Sequence, residues 1–399
     1  MRQVALYSAV LLLFAVASSA AESRTEELVK SGKYLTAVKA LKDDPEFATS
    51  KGFSRYVHLL LTYKASTSNF MAFAMRDPAA GESPKSPAEA SGDAVIVETD
   101  LEARIFERLS EATEDPELNF AAGEYLSRLQ ECGCGEARHF TGGQASGEQY
   151  FQKAYDAGLF DGWSLFRLGL GRHMDGDFPA AVEFYEKSLV ATPGYLPASY
   201  NMAVALFLSG DVDGALKTVG QVLDKYPDDS RNADAHHLLA RIDEAKGNLP
   251  EAKVQYQKAL ELWPRHENAG PDYIAFLRRT GASEEYVAFV ERFLGQDMAR
   301  PNAFNNYLDF LMNAGATDSD RRVYADLALF SPEDNAKAGT FNYGMGRLAL
   351  LLKEKEKAAA HYKKSLAAFT AMPSPPEGAI EALKSLLIEA GGDPAAPAK

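Results

Sequence analysis

The chain has 399 residues, with 42 Lys plus Arg against 56 Asp plus Glu, a formal net charge of -14 and a pI near 5.1. That length holds two or three ordinary domains or one long array of repeats, and the acidic balance argues against a nucleic-acid backbone or an anionic membrane surface, which both require clustered Lys and Arg. Beyond the N-terminus there is no run of eighteen apolar residues, so no later transmembrane helix is expected.

Residues 1–21 read as a cleavable signal peptide. Arg2 is the positive end, Val4 to Val16 the apolar stretch, and Ser18-Ser19-Ala20-Ala21 the small residues where cleavage is expected, after Ala20 or Ala21. An uncleaved anchor is the alternative. No Cys follows the apolar stretch, which leaves a lipoprotein anchor without support. No Asn-x-Ser/Thr occurs, which favours a bacterial periplasm over a eukaryotic secretory route. The expected location is therefore periplasmic or secreted.

Residues 22–76 read as helical and loosely repeat-like: Gly32, Ala37 and Pro45 fit turn, small-residue and terminator positions, and Phe53, Val57, Leu60 and Leu61 line one helix face. Residues 77–94 carry almost no large apolar side chain and read as a disordered linker or surface loop. Helical periodicity resumes at Leu101, Ile105, Phe106 and Leu109. Asp115-Pro116 then opens a helix with Phe120, Ala121, Gly123 and Leu126, whose partner helix holds Tyr150, Phe151, Ala154 and Tyr155. Between these two lies an insert, 131–147, with Cys132, Gly133, Cys134 and His139.

From 162 to 264 one pattern is written three times. Gly176-Asp177 recurs as Gly210-Asp211 and Gly247-Asn248, Ala181 as Ala215 and Ala252, and Pro193 as Pro227 and Pro264. The first step is 34 residues and the second 37, the difference falling in the acidic loop Asp228-Asp229-Ser230-Arg231-Asn232. Each unit reads as helix A, a tight turn closed by Gly, helix B, and a stop before Pro. Gly169 and Ala181 let A and B approach closely, as do Ala203 with Ala215 and Ala240 with Ala252. Neither helix can bury its apolar face alone, so neighbouring units must stack.

These residues resemble the tetratricopeptide repeat, whose pattern is Trp-x2-Leu-Gly-x2-Tyr, then Ala-x3-Phe, then Pro. Leu168-Gly169, Ala181-x3-Tyr185 and Pro193 match it, whereas Leu165 and Arg172 replace its Trp and Tyr. The resemblance implies an all-α helical-hairpin solenoid forming a right-handed superhelix, with a terminal capping helix. After Pro264 the register persists, with Gly281 and Gly315 each 34 residues after the preceding turn Gly. A cleaner unit follows with Gly346, Ala358, Tyr362, Ser365 and Leu366, so that the solenoid spans 95–372. In 373–399, Ala379, Ile380, Leu383, Leu386 and Leu387 make the expected cap, followed by a disordered tail.

The resemblance also implies a concave groove lined by helix A. Its inward positions are Trp163, Phe166, Leu170 and His173, then Tyr200, Asn201, Val204 and Phe207, then His237, Arg241 and Glu244. Asp272, Arg278 and Arg279 follow, then Asn305, Asn306 and Asp309, and finally Tyr343 and Arg347. Of these, Trp163, Phe166, Tyr200, Asn201, Phe207, Arg241, Arg278, Asn306 and Arg347 are expected to contact a protein or peptide, an aromatic strip giving way to a basic one. Alternatively, N-terminal helices cover Trp163 and Phe166. Some family members hold a C-terminal carboxylate with Lys, Asn and Arg; Asn201 and Asn306 sit suitably, but the accompanying Lys and Asn are missing, so that activity is not carried over.

Cys132-Gly-Cys134 admits three readings: a disulfide, whose loop entropy contributes only roughly 1.6 kcal/mol; a redox dithiol; or a metal site with His139, one ligand short for zinc. His236-His237 read as one packed and one exposed His, because neighbours on a helix point apart by about 100°. Lys353 to Lys357 read as a solvated turn. No Ser/His/Asp set, phosphate-binding Gly loop or His-Glu-x-x-His occurs, so neither a catalytic site nor a cofactor is expected. The function expected is an exported scaffold that binds a protein or peptide. A redox or metal-handling envelope protein acting through Cys132 and Cys134 is the alternative.

Overall fold

A computed structural model describes residues 24–65, 70–78, 92–225, 232–295, 301–330, 332 and 334–393; for 143, 144 and 301–303 the backbone alone is described. The leader 1–21, most of the 77–94 segment, the acidic loop from 228 to 231 and the last six residues lie outside that set. The chain divides into two compact units, Met1–Thr218 and Val219–Lys399. The described residues form nineteen α-helices and two short strands.

The first unit runs α1 (Arg24–Lys30), α2 (Tyr34–Lys42), α3 (Ser50–Tyr63), β1 (Phe73–Met75), β2 (Val95–Glu98), α4 (Leu101–Glu111), α5 (Pro116–Cys132), α6 (Gly147–Asp156), α7 (Gly162–Met174), α8 (Phe178–Ala191) and α9 (Leu196–Leu208), after which α10 (Val212–Lys225) follows. Asp115 starts α5 by accepting from the Glu117 and Leu118 amides at 3.0 and 3.1 Å, with Pro116 at the first helical position. Asp161 and Ser164 form a capping box at α7. In the hairpin α7–α8, Gly169 faces the Tyr185 ring so closely that an added Cβ would lie 2.7 Å from it. Gly176 closes α7 at φ 79°, its amide bonded to the His173 carbonyl and that of Asp177 to Arg172.

The strand pair is absent from the all-α reading. β1 and β2 run antiparallel with Ala74 opposite Ile96 and Met75 opposite Val95. Val95-Ile96-Val97 suits a strand because β-branched side chains fit a pleated surface. Phe73 and Met75 are fully buried in a core with Val57, Leu60 and Tyr125. Asp77, inside the segment read as a linker, accepts from the Leu35 amide at 2.8 Å and the Thr36 amide at 3.2 Å. It therefore caps α2 from a distance, a place where a carboxylate is favoured.

The second unit contains α11 (Asn232–Lys246), α12 (Leu249–Leu262), α13 (Ala269–Arg279), α14 (Ser283–Gly295), α15 (Pro301–Ala314), α16 (Asp318–Leu327), α17 (Asn335–Leu351), α18 (Lys355–Thr370) and α19 (Glu377–Glu389). One apolar cluster runs from Ala240, Ala252 and Tyr256 to Tyr362, Leu383 and Leu387. Gly346 faces Tyr362 as Gly169 faces Tyr185. Ser365 donates to the Gly339 carbonyl at 2.7 Å, repeating in α17–α18 the 2.6 Å bond from Ser188 to Gly162 in α7–α8. The two hairpins thus share a glycine–tyrosine contact and a buried serine tie. Lys353 takes the turn position of Gly176 with φ 64° and the same amide pattern, Lys353 to Leu350 and Glu354 to Ala349.

Candidate partner-binding site

In the first unit the expected aromatic strip is only partly open. Phe166 is 8% exposed, its ring against Tyr185 at 5.9 Å and Tyr195 at 5.4 Å between centroids. It is a core residue, and that part of the expected binding set is corrected: helix B of its own repeat and the turn before α9 cover it. Trp163 is half-buried. Its ring meets Phe151 edge-on at 5.6 Å and carries the Arg128 guanidinium 4.5 Å from its centroid. Tyr200, Asn201 and Phe207 are half-buried on α9, and the Asn201 amide donates to the Pro197 carbonyl of its own helix at 2.9 Å.

Arg128 was not singled out by the sequence because it lies one hairpin earlier, on α5. Its guanidinium is also 3.6 Å from Glu124, a carboxylate 2% exposed. His58 on α3 completes this group, with Nδ1 3.0 Å from Glu124. The hydrogen bond to Glu124 raises the His58 pKa, against the opposing effect of burial. Trp163, Arg128, Glu124 and His58 therefore put a cation over an aromatic face with a buried carboxylate behind it. Such an arrangement can take up an apolar side chain together with a neighbouring charge.

In the second unit the expected inward positions pair with one another across successive A helices. His237 on α11 meets Asp272 on α13 at 2.7 Å, Glu244 meets Arg279, and Asn305 on α15 accepts from Arg347 on α17 at 2.9 Å. Arg278 donates to the Gly315 carbonyl, lies 3.7 Å from the fully buried Asp320, and covers the Phe310 ring at 5.3 Å. Arg241 is half-buried and Asn306 exposed. His236 and His237 are both buried, so the expectation of one exposed His is corrected. His236 bonds Gln255 at 2.7 Å, and burial lowers its pKa. A cleft of about 510 Å³ is lined by Gln257, Leu260, Tyr273, Glu285, Phe289 and Arg292, none of them an expected binding residue.

The insert 131–147 is fastened to α4 through Glu102 and to α7 through the 3.2 Å ion pair of Glu131 with Arg167. Glu102, 3% exposed, accepts the Arg138 and His139 amides at 2.6 Å each, and Phe140 is buried beside Phe106 and Tyr150. Cys132 and Cys134 are joined by a disulfide and are both exposed. His139 sits 3.4 Å from Glu102, away from any ligand set; among the described residues no three His, Cys, Asp or Glu are placed to hold a metal ion.

The tetratricopeptide repeat family model matches residues 173–242. Photosystem I assembly protein Ycf3 of Synechococcus elongatus is 31% identical over 140 residues, covering 32% of this chain and 81% of that protein. The chain belongs to the tetratricopeptide repeat family. Ycf3 of Prochlorococcus marinus is 26% identical over 132 residues, covering 30% of this chain and 76% of the relative. A solved tetratricopeptide repeat protein from Parabacteroides merdae aligns at 16% identity over 73% of this chain and 99% of its own, with a TM-score of 0.33. As a tetratricopeptide repeat protein, the chain is a scaffold for protein–protein interaction.

Proposed function

We propose that this scaffold is exported, to the periplasm or beyond, and that its first unit grips an extended or helical segment of a partner protein at Trp163 and along α9. The observation that carries the binding site is Trp163 itself, a partly buried indole held between Phe151 and Arg128 at an inward A-helix position. A rigid aromatic with a charged neighbour is the kind of anchor that dominates interface energies. Export rests on the leader pattern of residues 1–21. The likeness to proteins named for photosystem assembly supports a role in bringing protein partners together, without carrying over the photosystem.

The test begins with crosslinking in the native envelope fraction to isolate the partner, followed by titration of the purified pair. Truncating a buried aromatic anchor often costs about 2 kcal/mol, so Trp163→Ala or Tyr200→Ala is expected to weaken binding about thirtyfold at unchanged helicity. Normal binding by both variants sinks the α7–α9 site. Mass spectrometry of mature protein is expected to show a start at Ala21 or Glu22; intact Met1 on membrane-bound material refutes export by cleavage.

A further inference from the structure

The disulfide at the end of α5 holds nothing together. It spans two positions, with Gly133 between, and fastens no second element of the fold. The turn it encloses is already made by the backbone: Gly133 caps α5 in the left-handed region at φ 59°, its amide reaches the Gln130 carbonyl at 3.1 Å, and the Cys134 amide points to Leu129 at 3.4 Å. The insert beyond it is secured separately, where Glu102 binds the Arg138 and His139 amides. Both cysteines are exposed, as are Gly133 and Gly135 around them. Structural disulfides resist reduction because folding favours the closed form, whereas exposed, unconstrained ones exchange readily.

We propose that Cys132–Cys134 is a thiol–disulfide exchange site that accepts two electrons from a dithiol on a partner protein. A partner thiolate attacks the Cys132 Sγ, the Cys132–Cys134 bond breaks, and Cys134 leaves as a thiolate. The second partner thiolate then attacks the partner sulfur of the mixed disulfide and expels Cys132. The partner gains a disulfide, and Cys132 and Cys134 each take up a proton.

The geometry selects both the sulfur and the partner class. The Leu129 carbonyl oxygen lies 3.2 Å from the Cys132 Sγ, in the last turn of a helix whose carbonyls converge there. A thiolate on Cys132 is disfavoured beside that oxygen, so Cys134 is the better leaving group and Cys132 the sulfur attacked. Once reduced, the Cys132 thiol finds the same carbonyl as acceptor, so opening the bond leaves the helix end satisfied. Cys134 stays tethered two residues away and attacks any adduct on Cys132, expelling a monothiol. A nucleophile with its own second thiol competes with that return and drives the exchange to completion. The site uses no residue of the α7–α9 surface and stands independently of it.

The test uses the oxidised full-length protein under native conditions. In one arm it is mixed with dihydrolipoamide in the presence of about tenfold excess lipoamide; in the other it meets glutathione at equal thiol concentration. Alkylation and mass spectrometry read the state of each cysteine, and circular dichroism reads the fold. The dithiol is expected to reduce the pair fully with no loss of helicity, and glutathione to leave at most a trace adduct, on Cys132. A bond that stays closed until denaturant is added overturns the proposal, as does a glutathione adduct that accumulates on Cys134. The doubly substituted Cys132→Ser, Cys134→Ser protein is expected to melt within a few degrees of the parent and to leave dihydrolipoamide unoxidised; a collapse of its fold shows the bond to be structural and refutes the exchange role.

Discussion

Replacing Gly346 by Ala tests the contact on which the repeat depends. A Cβ at 346 would lie 2.4 Å from Tyr362 Cε1 and 2.6 Å from Cδ1, where unstrained carbon pairs sit about 3.5–4.0 Å apart. Tyr362 is fully buried in the α17–α18 hairpin, so the ring or a helix must shift by about 1 Å. Overpacking of this kind costs about 1–3 kcal/mol. Ala gains back up to about 1 kcal/mol over Gly in a helix interior. The expected net loss is about 1–2 kcal/mol, read as a lower urea midpoint by far-UV circular dichroism, or a fall of about 2–8 °C in Tm for a unit of this size. Gly220, in α10, is the control: no atom lies within 4 Å of its would-be Cβ, so Gly220→Ala is expected to stabilise by about 0.5–1 kcal/mol. If Gly346→Ala is as stable as the parent, helix propensity outweighs the clash and close approach is not what glycine supplies there.

Burial between Asn342 and Tyr324 pushes the His361 pKa down to about 4, so the fold holds a neutral imidazole that the unfolded chain protonates near 6.5. Its contribution is complete above pH 6.5 and is lost as pH falls towards 4, so at pH 5 the parent should have lost roughly 2 kcal/mol that His361→Gln does not lose; parallel stability curves for the two proteins between pH 7 and 5 refute this. Lys353 sits at φ 64°, where the other repeats use Gly, so Lys353→Gly is expected to raise stability by about 1 kcal/mol in urea unfolding, and a loss disproves the strain. Asp320 is fully buried and accepts from Tyr286 at 2.5 Å, Tyr307 at 2.7 Å and the Thr317 amide at 2.6 Å. Asp320→Ala should cost about 3–5 kcal/mol by stranding those donors, and a loss below 1 kcal/mol on denaturation shows that they find other partners.

The hairpin rule was legible because it is written in small residues at fixed spacing. Gly169 and Ala181 mark the A–B crossing, and Gly346 and Ala358 mark it again 177 residues later. The turn at Lys353 read as a solvated charge run because its sequence carries no Gly; the backbone repeats where the residue type does not. The strand pair β1–β2 escaped because its strands are three and four residues long and flank the segment 77–94, so neither shows an extended alternation. The group around Trp163 was half legible. Trp163 follows from the repeat position, but Arg128, Glu124 and His58 come from α5 and α3, and no local spacing announces that they converge. Phe166 shows the limit of a positional rule, since the same inward register leaves Trp163 half-open and buries Phe166 under Tyr185 and Tyr195.

Arginine at an inward position also reads differently once its neighbours are known. On sequence, Arg278 and Arg347 form a basic stretch ready for an acidic segment. In the second unit Arg347 already donates to Asn305, and Arg278 covers Phe310, bonds the Gly315 carbonyl and stands 3.7 Å from Asp320. Asp320 is buried with its charge offset chiefly by hydroxyl and amide donors, and Arg278 is the cation beside it. A partner carboxylate that drew Arg278 outward would gain one charge-assisted bond in a solvated site, worth little net, while leaving a buried carboxylate without its counter-ion, a loss of several kcal/mol. Arg278 therefore serves the stacking of α13, α15 and α16 before it serves any ligand. The partly buried indole of Trp163 gives up no such counter-ion when a partner covers its open edge, which is the physical reason for proposing the anchor in the first unit.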